Sequence, residues 1–242
     1  MVTPLASRAR KPLTTAAVVT AARKIIEARG MAACSMRALV DALGVQAPAL
    51  YRRIRNKDEL LALVLDDVIS GMHWDDTTFP ADGAWQEQLA EIMRRLRALF
   101  ARRPALAALF AHATPHGPNA LRFIEAATAP LRRAGFSDAS ATFAITALTT
   151  YTIGLTFLSA SRSRGPSHRQ MQATLRRARD AAGNGQFGPD TLAAYTVLEG
   201  THAASAEALF EFGLRHMLAG LVADLPIQDS SHGGTEKRRR AG

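Results

Sequence analysis

Residues 35–57 read SMRALVDALGVQAPALYRRIRNK, and the fold turns on them. Met36, Leu39, Val40 and Leu43 recur at spacings of three and four, the period that gathers side chains on one face of an α-helix. Ser35 precedes them as a good N-cap, because its hydroxyl can accept from an amide the first turn leaves unpaired. Gly44 follows them and can take the positive φ that ends a helix. A second helix opens near Gln46, tolerates Pro48 in a first turn that needs no amide there, and turns Leu50 and Ile54 inward. Its other face carries Gln46, Ala47, Ala49, Tyr51, Arg52 and Arg53. Two short helices, a glycine turn and clustered cations predict a helix-turn-helix. Small residues let such a helix approach a major groove closely, where an arginine can grip guanine through two hydrogen bonds. The competing reading is a basic helical hairpin whose arginines are merely solvated.

The flanks favour the first reading. Thr14 to Arg29 forms a helix with Val18, Ala22, Ile25 and Ile26 on one stripe, closed by Gly30, so three helices can share a small core. Asn56 with Glu59 three residues later makes a capping box for a fourth helix that begins at DELLALVLDDVI and ends near His73.

Charge is concentrated at the same end. The 242 residues carry a net +9, yet residues 1–60 hold eleven Lys or Arg against four acids, while residues 61–225 hold fifteen of each. A positive lobe on a neutral body predicts a polyanionic partner and an affinity that falls with salt. Arg8, Arg10 and Lys11 lie in an unpatterned arm, and EKRRRAG forms a polar tail.

The chain therefore divides into a basic arm at 1–12, a DNA-binding unit at 13–60, a larger unit at 61–225 and a basic tail at 226–242. Apolar content of 48% with few aromatics and much alanine predicts an all-α fold. A single cysteine, Cys34, and the lack of a signal-like start predict a reducing cytoplasm.

The larger unit reads as further helices. Trp85, Leu89, Ile92, Met93, Leu96 and Phe100 form one stripe, ended or kinked by Pro104. Ala105–Ala111, Asn119–Ala134, Ser137–Ser161, Ser167–Ala182 and Ala203–Ala223 follow, with punctuated loops at His112–Pro118 and GNGQFGP. Ala139–Ser161 has no charge and is long enough to cross a bilayer, but nine of its residues are Ser or Thr. It is expected to be a helix buried on nearly every side, central to a bundle, at a subunit interface, or both, with no membrane partner. His112 and His116 have zinc-like spacing, but Pro115 and Gly117 interrupt the helix that would hold them, so no metal site is expected. No GxSxG, HExxH, phosphate-cradling loop or Cys–His arrangement points to catalysis, and no cofactor is implied.

LTTAAVVTAARKIIEARG followed by SMRALVDALGVQAPALYRRIRNKDELL resembles the N-terminal domain of the tetracycline repressor (TetR) family of bacterial transcription regulators. DGAWQEQLAEIMRRLRALFARRPALAALF and GPNALRFIEAATAPLRRAGFS resemble, more loosely, the C-terminal domain of its tetracycline-repressor-like branch. The resemblance implies a homodimer that binds a palindromic DNA operator and is released by a small molecule, commonly as a repressor. Implied DNA contacts are Ser35, Arg37, Gln46, Ala47, Pro48, Ala49, Tyr51, Arg52, Arg53 and Lys57, with Tyr51 and Lys57 on phosphates. Arg52 and Arg53 replace residues common in the tetracycline repressor itself, so the operator is expected to be richer in guanine. Implied effector contacts are His73, Ile92, Leu96, His112, Phe123, Thr150, Ile153 and Phe157. The family's acidic metal-partner position falls at Leu158 and an amide contact at Ile92, which predicts a rather apolar effector bound without metal. Dimerisation would use the helices at Ser137–Ser161 and Ala203–Ala223. Two other readings remain open, a non-specific DNA coat and a helical enzyme.

Overall fold

The computed structural model of the chain describes residues 12–72, 84–113, 116–163 and 206–225, with isolated helical positions between 170 and 193. The elements are α1 (Thr15–Arg29), α2 (Met36–Leu43), α3 (Ala47–Tyr51), α4 (Lys57–Ile69), α5 (Trp85–Ala101), α6 (Pro104–Ala107), α7 (Pro118–Arg133), α8 (Asp138–Ser163) and α9 (Ala206–Gly220). Short 3-10 turns follow α1, α4, α6 and α9, and the described residues contain no strand. His73, residues 1–11 of the arm, the glycine-rich stretch and the tail lie outside the described residues, as does most of the helix expected at 167–182.

Each early boundary has a local cause. Thr14 caps α1 by accepting from the Ala17 amide at 3.1 Å, and Ser35 caps α2 by accepting from Ala38 at 3.1 Å. Gly44 closes α2 in the left-handed region at φ 62°, where a Cβ would be strained. Asn56 caps α4 by accepting from the Glu59 amide at 2.8 Å. The Glu59 carboxylate reaches back to the Arg55 amide at 2.6 Å, one residue further out than a standard capping box.

The cores expected for the two units are continuous. Val18, Ala22 and Ile26 of α1 pack with Leu39, Leu50 and Ile54, and the same cluster runs on through Leu60, Leu65 and Ile69 of α4 to α5, α7, α8 and α9. α4 is thus the shared wall. Pro104 does not kink α5; it opens α6 after α5 has ended at Ala101.

α8 departs from the expected near-complete burial. Its inward face, including Ala141, Leu148 and Thr152, is buried against the neighbouring helices, whereas Phe143 is 74% exposed and Leu158 51%. Phe143, Ala147, Thr150, Gly154, Phe157 and Leu158 form one outward stripe at spacings of three, four and one. Its threonines fit a helix among other helices because Thr142, Thr146, Thr152 and Thr156 each donate to the carbonyl four residues back.

Candidate DNA-reading face and effector domain

α3 is short because its sequence makes it so. It starts after Gln46 with Pro48 in its first turn and ends at Tyr51, and the Arg53 and Ile54 amides then close back onto the Leu50 carbonyl at 2.8 and 3.1 Å. Leu50 and Ile54 are fully buried and pin this turn to the core. Arg52 and Arg53 therefore stand on the turn that leaves α3, not on the helix itself, and both are exposed. Gln46, Ala47, Pro48 and Tyr51 are exposed and Ala49 half-buried, so α3 presents an outward face of small residues with the Tyr51 ring, 51% exposed, at its end. Ser35 and Arg37 at the head of α2 and Lys57 at the head of α4 are exposed on the flanks.

Arg37, Arg52, Arg53, Arg55 and Lys57 form no ion pair among the described residues. Elsewhere Arg94 pairs with Glu211 at 2.8 Å, Arg95 with Glu91 at 2.8 Å, Arg132 with Asp138 at 2.8 Å, and Arg97 with Glu207. The reading end thus keeps its positive charge available for phosphates. Burial raises the pKa of the Cys34 thiol beneath this face, and the field of Lys57 only partly opposes that shift.

The expected effector residues separate into two groups. Ile92, Leu96, Phe123 and Ile153 are all buried in the core. Thr150 and Phe157 lie on the outward stripe of α8, and His112 is exposed at the end of the 3-10 turn after α6. Thr150 is one residue from Thr149, whose hydroxyl is buried with no hydrogen-bond partner among the described residues. A one-residue step on a helix is a turn of about 100°, enough to exchange an inward for an outward direction. Among the described residues no cluster of three or more His, Cys, Asp or Glu could hold a metal.

A groove of about 640 Å³ runs between α5 and α9, floored by Ala90, Leu214, Leu218 and Val222 and edged by Arg94 and Glu211. It shares no residue with the expected effector set. The Arg94 guanidinium forms two 2.8 Å hydrogen bonds to Glu211 and holds that carboxyl below the usual carboxylate range.

Sequence reasoning missed the joints between elements. Asp66, on α4 and only 6% exposed, accepts from the Ala120 amide at 2.8 Å and the Asn119 side chain at 2.9 Å in the first turn of α7. Tyr151 of α8 donates to the Leu209 carbonyl at 2.9 Å and stacks on Phe210 of α9, over Gly213, whose missing Cβ makes room for the phenol. The available signal for Asp66 was an acid on an otherwise apolar stripe with Ala62 and Ile69.

A short helix with an exposed basic edge, held by a capped helical hairpin on an all-helical core, defines a helix-turn-helix DNA-binding regulator. Residues 18–64 match the family described as bacterial regulatory proteins, tetR family, and residues 79–225 match the family described as tetracyclin repressor-like, C-terminal domain. The chain belongs to the TetR family of ligand-responsive transcriptional regulators. It is 30% identical over 229 residues to an HTH-type transcriptional regulator of Saccharopolyspora erythraea, covering 92% of this chain and 90% of that protein. It is 34% identical over 149 residues to the HTH-type transcriptional repressor DrrR1 of Streptomyces coeruleorubidus, where the match spans 61% of this chain and 54% of the relative. Its fold superposes with a TM-score of 0.75 on the Streptomyces coelicolor TetR family protein ActR crystallised with actinorhodin, at 29% identity, covering 90% of this chain and 99% of ActR.

Proposed function

We propose that the chain acts in the cytoplasm as a homodimeric repressor that binds a palindromic operator and lets go when a small molecule enters its helical core. The observation that carries the reading is the row of exposed cations at the end of α3, none in an ion pair among the described residues, beside a face of small residues. In this reading residues 13–60 bind DNA and residues 61–225 take the effector and form the dimer. Arg52 and Arg53 contact base edges, Arg37 contacts a base or phosphate, and Ser35, Gln46, Tyr51 and Lys57 fix the register on the backbone. The leading turn of α3, with Ala47, Pro48 and Ala49, lies against the groove. Catalysis has no part in it.

The dimer forms through α8 and α9. Phe143 and Leu158 on α8 and Leu209 and Phe212 on α9 are exposed apolar residues on either side of the Tyr151–Gly213 joint, where a soluble monomer would expose few. Thr150 and Phe157 belong to this seam, and the effector meets Ile92, Leu96, Phe123 and Ile153 from within. A ligand group that hydrogen-bonds the buried Thr149 hydroxyl would remove an unmet polar contact. ActR, with its bound actinorhodin, supports a small-molecule effector for a chain of this fold. The apolar character of the buried set favours a rather apolar effector without metal.

Selection of bound sequences from a random duplex pool, run at two salt concentrations, tests the reading. An enriched palindrome is expected. Binding without enrichment would favour the second reading, a non-specific DNA coat in which the same arginines serve phosphates alone.

A further inference from the structure

α4 carries adjacent acids that point to opposite halves of the molecule. Asp67 pairs with Arg23 of α1 at 3.1 Å, Arg23 meets Glu27 at 3.7 Å, and Glu27 meets Arg103, the residue before α6, at 3.3 Å. These side chains are 26–41% exposed, so solvent screens the chain of ion pairs and lets it re-form after small movements.

Asp66 is different in kind. It is the most deeply buried charged side chain among the described residues. Its two oxygens accept from the Ala120 amide and the Asn119 side chain, supplying the cap that Gly117, at the N-cap position of α7, has no side chain to provide. A Cβ on Gly117 would lie 2.5 Å from both oxygens, so the approach depends on glycine. At its other end α4 is fastened to the exit of α3 by the Asn56 cap and the Glu59–Arg55 contact. α4 is thus gripped at one end beside the reading face and at the other by the first turn of α7, whose next turn carries Phe123.

We propose that Asp66 is the positioning residue that couples the effector core to the reading face, because its buried grip on Asn119 and Ala120 makes α4 follow any displacement of the first turn of α7. The proposal rests on the ligand-released reading above and says which contact carries the release. A charge-assisted pair of hydrogen bonds in a buried site cannot slide without leaving a carboxylate and an amide unpaired, whereas the screened ion pairs can.

Linkage makes the coupling testable without knowing the effector, since DNA must disturb α7 as much as α7 disturbs DNA binding. Amide hydrogen exchange across residues 122–127 of α7, whose amides bond within the helix and not to Asp66, is followed in the full-length protein, alone and saturated with the duplex enriched from the random pool. Binding by the wild type should change exchange in this turn by about fivefold or more. In Asp66→Ala the same duplex should still bind while the change falls below about twofold; Asp66→Asn, which keeps the shape and loses the charge, gives the same comparison if the alanine variant does not fold. A wild-type change that persists in the variant, or no change in the wild type despite binding, overturns the proposal. Failure of the wild type to bind any duplex overturns the regulatory reading beneath it.

Discussion

Gly117→Ala is a one-carbon change that should behave like the loss of a buried interaction. The backbone there is at φ −81° and ψ 178°, extended geometry that alanine adopts freely, so the conformational term alone would stabilise by roughly 0.4–1 kcal/mol. The added Cβ would meet both Asp66 oxygens at 2.5 Å, however, and the carboxylate must retreat out of reach of the Ala120 amide at 2.8 Å and the Asn119 side chain at 2.9 Å. Two hydrogen bonds to a charged acceptor are then lost, each about 1.5–3 kcal/mol, and breaking a buried charged contact costs about 3–5 kcal/mol. Against the small conformational gain, the net loss is about 3 kcal/mol. For a chain of this size that lowers the melting temperature by about 6–12 °C. Thermal unfolding followed by circular dichroism at one fixed protomer concentration measures it, since a dimer's melting point depends on concentration. Adding Asp66→Asn to Gly117→Ala should cost much less than the sum of the two single losses. A Gly117→Ala protein within about 1 kcal/mol of wild type would refute the reasoning.

Other outcomes are separable. Arg52→Ala and Arg53→Ala should each relax base preference by about 1–3 kcal/mol at one operator position, read by competition between the selected duplex and its single-base variants. Lys57→Ala should instead weaken all duplexes alike and flatten the slope of log affinity against log salt by about 0.9. Gly154→Glu sits where a new Cβ meets nothing within 4 Å, so the fold should survive while the charge enters the α8–α9 seam; sedimentation should then show a monomer, and a persistent dimer would place the seam elsewhere. Glu211, with its carboxyl pKa lowered chiefly by the Arg94 hydrogen bond, contributes stability that is present above the unfolded carboxyl pKa and lost as pH falls through the lower folded value. Because the pair is more than a third exposed, Glu211→Gln should cost no more than about 1 kcal/mol at neutral pH, and the difference from wild type should vanish in acid.

The reading head was legible because its determinants are local. Ser35, Gly44 and Asn56 each act on backbone within a few residues of themselves, and the apolar spacing of Leu39, Leu50 and Ile54 states which side faces inward. Even there, the expectation that Arg52 and Arg53 ride on the helix missed the early end of α3, set by a tight turn onto the Leu50 carbonyl. The effector half was less legible because a long helix with no charge from Ala139 to Ser161 gives a weak directional signal. α8 alternates Thr, Ala and apolar residues around its circumference, so Thr149 and Thr150 are indistinguishable by type although the Thr149 hydroxyl is buried and Thr150 faces out. Asp66 and Gly117 are 51 positions apart in a chain whose helices reveal little about which ends meet. His112 was placed by resemblance, and no periodicity speaks for a loop residue.

The most direct test of the account is the stoichiometry and affinity of the purified protein on the selected palindrome and on a duplex bearing only one half of it, by sedimentation and fluorescence anisotropy together. Two protomers on the palindrome, bound far more tightly than the half-site, are predicted for reading helices set about 34–36 Å apart on one face of the duplex. One protomer per duplex, or equal affinity for palindrome, half-site and scrambled sequence, would contradict the account.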